Sequence, residues 1–476
     1  MEIKSPSYAQ ALEVLRALEQ AGHDCRFVGG CVRDALIGAA DPDEASDIDL
    51  AASATPEQMT EVFAKYGWAA LPTGVKHGTV TARVNGASVE VTTFRSDGDY
   101  SDGRRPDSVT FTKDIEADLS RRDFTVNAMA WHPERGLLDP HGGREDIEKK
   151  LIRAVGDPGR RFGEDALRML RAVRFAGRLG FAVGDGTWEA IRANAGLIAK
   201  VSHERCAAEI MSIVCSPEPG DAMRLMYGSG LMKYLLPEID DLFDPVTGAQ
   251  NVPYLPETVG EQTLTVMSGL PPEPILRLAA LLQDVGKPIC RGTRPGGGHD
   301  TFYGHPEESA RIAPAILSRL NIPNRQADRI VPLILYHDTM PAPDAYSLKH
   351  LLFRVSNGTD AEAGAVFFKD WIRLKRSGIF GQDPEVHSEK LASLNKFEHL
   401  YECVIGEGQA YVLSQLAING GDITALGITG PLVGHILDTC LRLVIRDPDE
   451  NTRKKLMRLA SSYMEKDRRS FPLRRK

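Results

Sequence analysis

The patterning of apolar residues changes character near Asp146, and this limits the fold more than any other feature of the chain. Before that point, helical and strand periods alternate. Tyr8 to Ala21 has apolar residues at helical spacing, and Cys25-Arg26-Phe27-Val28 reads as a short strand ending at Gly29-Gly30. Asp47 to Ala52 reads as a second strand. Thr79 to Val84 and Ala87 to Phe94 alternate with period two and are joined by Asn85-Gly86, the pair favoured in a type I′ hairpin turn. These elements predict a mixed sheet flanked by helices. Beyond Asp146 the strand signals largely stop. Glu164 to Leu179 is a strongly helical window, and helical periodicity continues with breaks, while Pro/Gly-rich stretches at 236–276 and Gly292 to Gly298 read as loops. The expected organisation is an α/β head over residues 1–145, a helical neck over 146–215, a helical body over 216–400 and a helical, basic tail over 401–476.

Composition narrows the classes. Of 476 residues, 42% are hydrophobic and 26% charged, which excludes wholesale disorder. No stretch approaches the roughly 20 apolar residues of a membrane-spanning helix. The first residues carry no apolar run after their charge, so no signal peptide is expected. Seven scattered cysteines show neither metal-ligand spacing nor a disulfide framework, which suits a reducing cytoplasm. The net charge of −8 argues against an indiscriminate nucleic-acid coat. Its distribution is uneven: Arg453 to Lys476 holds ten Lys/Arg against Glu465 and Asp467, so this stretch is +8 and the remainder −16. A protein that meets a polyanion at chosen places has this asymmetry, and so does one with a solvated basic terminus.

Asp47 and Asp49 are the first informative pair. Residues i and i+2 of a strand share a face, so the two carboxylates converge while Ile48 and Leu50 face the core. Such a pair repels itself unless a cation sits between, and a hard divalent ion such as Mg²⁺ fits oxygen ligands. Glu90, between core-type Val89 and Val91, is a candidate third carboxylate. The alternative is a solvent-facing strand edge. Gly29 and Gly30 stand at a strand-to-helix junction, where backbone N–H groups approach anions closely, and Arg33 lies one turn further on. Arg121, Arg122, Asp123 and Asn127 add guanidinium forks for phosphate and bonding groups for ribose; the competing reading is a helix start capped by Asp123.

Asp165 and Arg168 are three apart in the helical window, with Arg171, Arg174 and Arg178 extending the stripe. Cytosine and adenine each present an exocyclic amino donor beside a ring-nitrogen acceptor. A carboxylate accepts from the first while a guanidinium donates to the second. Uracil and guanine reverse that pattern, so Asp165 and Arg168 are expected to select CTP and ATP without a template. An ordinary i,i+3 ion pair is the alternative.

With these residues in place, the chain resembles the class II CCA-adding tRNA nucleotidyltransferases and the bacterial poly(A) polymerases, within the polymerase-β-like superfamily. The resemblance rests on GGCVRD (29–34), DIDLA (47–51), HGTV (77–80), VEVTTFR (89–95), RRDFTVNAMA (121–130), LLDPHGG (137–143), EDALRMLRAVRFAGRLGF (164–181) and INGGDITALGI (418–428). It implies two Mg²⁺ ions held by Asp47 and Asp49, ribose selection around Asp123, base reading by Asp165 and Arg168, and tRNA as partner. It leaves open poly(A) addition or partial CCA addition, with loop 98–107 expected to govern the switch between nucleotides. The body of many relatives resembles an HD-type phosphohydrolase. Here LAALLQDVGKP (278–288) has Gln283 at the His position, which leaves Asp284 alone with His305 and His337 further on, so this segment is expected to be framework.

Overall fold

The computed structural model describes residues 3–38, 48–98, 108–293 and 298–470. They fall into two compact units, Met1–Pro237 and Glu238–Lys476. Asp47 and residues 99–107 lie outside the described residues.

The first unit opens with α1 (Tyr8–Gln20), β1 (Cys25–Val28), α2 (Gly30–Ile37), β2 (Asp49–Ala52), α3 (Pro56–Lys65), β3 (Ala69–Gly74), β4 (Thr79–Val84) and β5 (Ala87–Thr93). Asn85 and Gly86 both have positive φ, as a two-residue hairpin with the sheet's twist requires. Next come β6 (Arg95–Asp97), β7 (Val109–Phe111), α4 (Ile115–Ser120), β8 (Ala130–His132), β9 (Gly136–Leu138) and α5 (Gly143–Glu148). Seven strands form one mixed sheet in the order β3-β4-β5-β2-β1-β8-β9. The period of two sends Phe27, Leu50, Ala52, Val89 and Val91 into one core with Leu15, Leu18 and Phe63 of the flanking helices. Each fully buried Leu or Phe there contributes about 1.5–3 kcal/mol. Val28, Ala51, Phe94, Ile115, Leu119 and Ala130 pack on the opposite face. That smaller cluster leaves part of the face uncovered.

The neck follows, with α6 (Pro158–Glu164), α7 (Leu167–Leu179), α8 (Asp185–Asn194) and α9 (His203–Val214). The strongly helical window read from 164 to 179 is corrected here. Asp165 has extended backbone, φ −147° and ψ 105°, and separates α6 from α7. Its carboxylate accepts the N–H of Leu167, a local bond that favours a helix boundary over a helix interior. Strand structure also persists past residue 146, as a two-residue parallel ladder of Leu151–Ile152 with Ala182–Val183.

The second unit is largely helical. The stretch expected to be loop at 236–276 contains the helix Val259–Ser268, capped by Thr258, and the start of Pro274–Leu282. Gly292–Thr293 pairs with Asp300–Thr301 in a small antiparallel ladder. The helix His305–Arg319 and the end of Asn324–Tyr336 bring His305 and His337, both further along the chain, to Asp284. A separate core holds the last part of the chain, with Ile436, Cys440, Leu441 and Val444 packed on Leu456 and Ala460. Among the described residues, no helix is long and apolar enough to cross a membrane.

Candidate active site

β2 and β5 run parallel, and Asp49 stands directly beside Glu90 in their register. Leu50 and Val91 point into the main core, so Asp49 and Glu90 point to the other face, beyond the edge of the smaller cluster. Asp49 is half-buried and Glu90 exposed. Two oxygen donors on adjacent strands, with access to solvent, fit a hard divalent cation in charge and ligand type. Asp47 would add a third, and it precedes the described part of the strand.

The β1–α2 junction lies beside this pair, since Val28 is opposite Asp49. Gly29 has φ 74°, and a Cβ there would come within 3.2 Å of Arg122 Nη1. Glycine therefore allows Arg122 to lie against the start of α2. Arg33 is fully buried: its Nη1 donates to Asn127 Oδ1 at 2.6 Å and its Nε to Asp34 Oδ1 at 2.8 Å. It ties α2 to the turn Thr125–Asn127, so it acts as a strut as well as a source of positive charge. A second close approach sets that turn. A Cβ on Gly143 would sit 2.2 Å from the Thr125 carbonyl oxygen, which explains a glycine at the head of α5.

Arg121 and Arg122 both donate to Asp118, at 2.7 and 3.2 Å. Burial alone would raise the Asp118 carboxyl, and the two guanidinium groups hold it below its ordinary value. Asp123 does not cap a helix. Its Oδ2 accepts from Arg171 Nη2 at 2.6 Å and Nε at 2.8 Å, joining the head to α7. Burial works against its ionisation, yet Arg171 holds its pKa down at about 2.

The ion pair between Asp165 and Arg168 allowed by their spacing is not formed. Arg205 of α9 donates to Asp165 Oδ2 at 2.7 Å. Glu164 accepts from Arg168 Nη1 at 2.7 Å, and Arg168 Nη2 reaches the Arg121 carbonyl at 3.2 Å. Each is thus fixed by its own partner. Arg174 pairs with Glu209 of α9 and lies 4.1 Å from the centre of the Phe175 ring, with Arg171 and Arg33 at 5.4 and 5.3 Å. Three guanidinium groups around one aromatic ring form a cationic wall. Phe175, Arg205, Glu164 and Glu209 were not singled out from the sequence. Only Phe175 and Glu164 lie inside a recognised motif; nothing local marks α9.

The described residues predicted for the site line one cavity of about 760 Å³, while Asp118, Glu164 and Glu209 brace its arginines without lining it. Its wall carries Asp49 and Glu90, Gly29 and Gly30, Arg121, Arg122, Asp123 and Asn127, and Asp165, Arg168, Arg171 and Arg174. Eight arginines face four carboxylates, and this excess suits a polyphosphate. The volume is that of a site for a small organic ligand.

Residues 25–153 match the family described as the poly A polymerase head domain. Residues 180–243 match one described as a probable RNA and SrmB-binding site of polymerase A. The CCA-adding enzyme of Geobacillus thermodenitrificans is 47% identical over 48% of this chain and 55% of its own length. That of Geobacillus kaustophilus is 34% identical over 95% of this chain and 96% of its own. The crystal structure of the Bacillus stearothermophilus CCA-adding enzyme in complex with CTP superposes with a TM-score of 0.68 at 28% identity, covering 99% of this chain and 100% of that one. The Thermotoga maritima CCA-adding enzyme complexed with tRNA has the same fold, with a TM-score of 0.58 at 18% identity over 96% and 95% of the two chains. With near full-length likeness at 34% identity added to the sheet and cavity, the chain belongs to the family of class II CCA-adding enzymes and poly(A) polymerases and is a tRNA nucleotidyltransferase.

Proposed function

We propose that this chain completes tRNA by adding C, C and A in turn from CTP and ATP, reading each base with its own side chains. The observation that carries this reading is the single cavity in which Asp49 and Glu90 face a wall of arginines and the Asp165–Arg168 turn. The 3′-hydroxyl oxygen of the RNA bonds to the α-phosphorus, and pyrophosphate leaves in line. Asp47 and Asp49 would hold Mg²⁺ ions, which would supply a polarised hydroxyl and neutralise the leaving oxygens. Glu90, the exposed carboxylate, accepts the hydroxyl proton. Arg121, Arg122 and Arg174 offset phosphate charge, and Arg33 and Asn127 hold the turn that positions them.

Asp165 accepts from the amino group of cytosine or adenine, and Arg168 donates to the neighbouring ring nitrogen. Because Arg205 and Glu164 already hold them, both groups are oriented before the nucleotide arrives. A uracil or guanine there sets acceptor against Asp165 and donor against Arg168, so both base-reading bonds are lost. The helical neck, body and tail meet tRNA through phosphates and shape. The test is incubation of the protein with tRNA ending before CCA and each labelled triphosphate. Addition of two C and one A, then arrest, is the expected result. A lengthening A tail, or addition of only C or only A, would overturn it in favour of the related activities.

A further inference from the structure

The sheet order sets Asp49 between two unlike neighbourhoods. On the β1 side Gly29 follows the strand, Arg122 lies against it, and Arg33 holds Asn127. On the other side the row of Asp49 continues through Glu90 of β5 and Thr81 of β4 to Leu71 of the edge strand β3. The next row along holds Thr92 opposite Thr79. Val80, Val89 and Val91 enter the core, so these threonines share the face of Glu90, and Thr92 lines the nucleotide cavity. An in-line displacement places the attacking oxygen and the leaving pyrophosphate on opposite sides of the phosphorus. With the arginines grouped on the β1 side, the attacking strand is left the β5–β4 side.

That side carries groups that suit a ribonucleotide strand. Thr79 Oγ1 and Thr92 Oγ1 are 3.0 Å apart, and their bond uses one hydroxyl proton, leaving the other O–H to donate. The turn Val75–His77 leads into β4 and is held in place. Arg95 Nη1 donates to the His77 carbonyl at 2.6 Å, and the Thr93 N–H donates to the Gly78 carbonyl at 2.9 Å. Gly78 has φ 84°, and a Cβ there would come 2.9 Å from Phe111 Cε1, so glycine lets that ring lie against the turn. Phe111 is 40% exposed, and Lys76 and His77 of the turn are exposed as well. From residue 62 to 89 the chain has no Asp or Glu, while Lys65, Lys76 and Arg83 make the stretch basic.

We infer that this face binds the single-stranded 3′ end of the RNA that the enzyme extends. The Thr79–Thr92 pair bonds the 2′-hydroxyl of the last ribose, Phe111 stacks on a base, and Lys76 meets a phosphate. RNA is the strand here because the function proposed above transfers the nucleotide to an RNA 3′-hydroxyl, and this assignment rests on that reading. It gives a task to HGTV (77–80) and to Thr92 of VEVTTFR (89–95), which the binding of the nucleotide leaves without one.

The experiment uses the full chain and a tRNA ending in CC, with 4-thiouridine in place of the first of those two residues. After irradiation and trypsin, the cross-linked peptides should contain residues 77–83 or Phe111. Cross-links found only in α7 or in the second unit overturn the assignment. Cross-linking needs no catalysis, so a protein that marks these peptides yet adds nothing to tRNA fails only the proposed function. Kinetics with ATP and unmodified tRNA ending in CC give the second readout. Phe111→Ala should raise KM for tRNA about 10-fold with kcat and KM for ATP unchanged, and Phe111→Tyr should restore it. Lys76→Ala should reduce the slope of log affinity against log salt by about 0.7. A 2′-deoxy residue at the RNA end should raise KM for wild type but not for the double variant Thr79→Val, Thr92→Val. Wild-type KM in Phe111→Ala with an unchanged slope in Lys76→Ala overturns the assignment, as does an equal response of wild type and double variant to the 2′-deoxy end.

Discussion

Among the described residues, a charged cavity of about 760 Å³ in the first unit and one of about 680 Å³ in the second are similar in size and built from different donors. The first joins carboxylate oxygens to guanidinium groups. The second joins one buried carboxylate to two imidazoles and an ammonium. Oxygen with guanidinium suits a phosphate chain and its hard cation, whereas in the second cavity the Lys287 ammonium already sits against the carboxylate. The difference teaches that volume and net charge do not tell two such sites apart. The order of donor types does.

The strongest way to break the comparison is to remove oxygen donors from the first cavity. Asp49→Ala or Asp47→Ala should lower nucleotide incorporation by about 10³-fold or more, while tRNA binding measured by filter retention stays near wild type. Normal turnover in Mg²⁺ would remove the carboxylate pair from its assigned role.

Next in size is base choice. Arg168→Ala, and separately Asp165→Ala, should lose roughly 100-fold in the kcat/KM preference for CTP and ATP over UTP and GTP, as well as rate. Arg205→Ala leaves both reading groups present and frees Asp165, so it should lose about 10-fold. Unchanged specificity in all three would assign base reading to other residues.

A smaller effect sharpens the picture of the first cavity as a pre-charged frame. The folded pKa of Asp123, about 2, is below the unfolded value near 4, so its pair with Arg171 adds stability above pH 4 that is lost as pH falls through about 2. Arg171 is partly exposed, and solvent screening discounts the gain to roughly 1–2 kcal/mol. Arg171→Ala should therefore be less stable to urea at pH 7, with the gap to wild type closing between about pH 4 and pH 2. A gap independent of pH would mean that the side chain matters through packing.

The smallest effect expected is at the tail. Deleting residues 468–476 removes five Lys/Arg and no acid. If two or three meet phosphates, KM for tRNA should rise several-fold and the salt slope of affinity shrink by about two, with kcat and CTP affinity unchanged. Equal slopes for the two proteins would leave the tail as a solvated terminus.

What could be read from the sequence followed locality. β1, the β4–β5 hairpin and its Asn85-Gly86 turn come from period and turn chemistry within a few residues, and all are found in place. The helix break at Asp165 was missed because apolar period runs straight through it, while the deciding bond is a side chain to a backbone N–H two residues on. Partners separated by long loops left no trace. Arg171 meets Asp123 across 48 residues and Arg205 meets Asp165 across 40. The second cavity suffered most from this. Asp284, His305 and His337 are all visible in the sequence, but nothing in it shows that they meet.

The break between α6 and α7 has a consequence for information. Most enzymes that write a nucleic-acid sequence copy it from another strand, so a changed letter in the template alters one message. In the proposed mechanism the letters are stored in a few residues around Asp165, each braced by a neighbour. A single codon change there would misspell the same ending on every RNA the enzyme finishes, which makes this short bend of chain the template for a whole population of molecules.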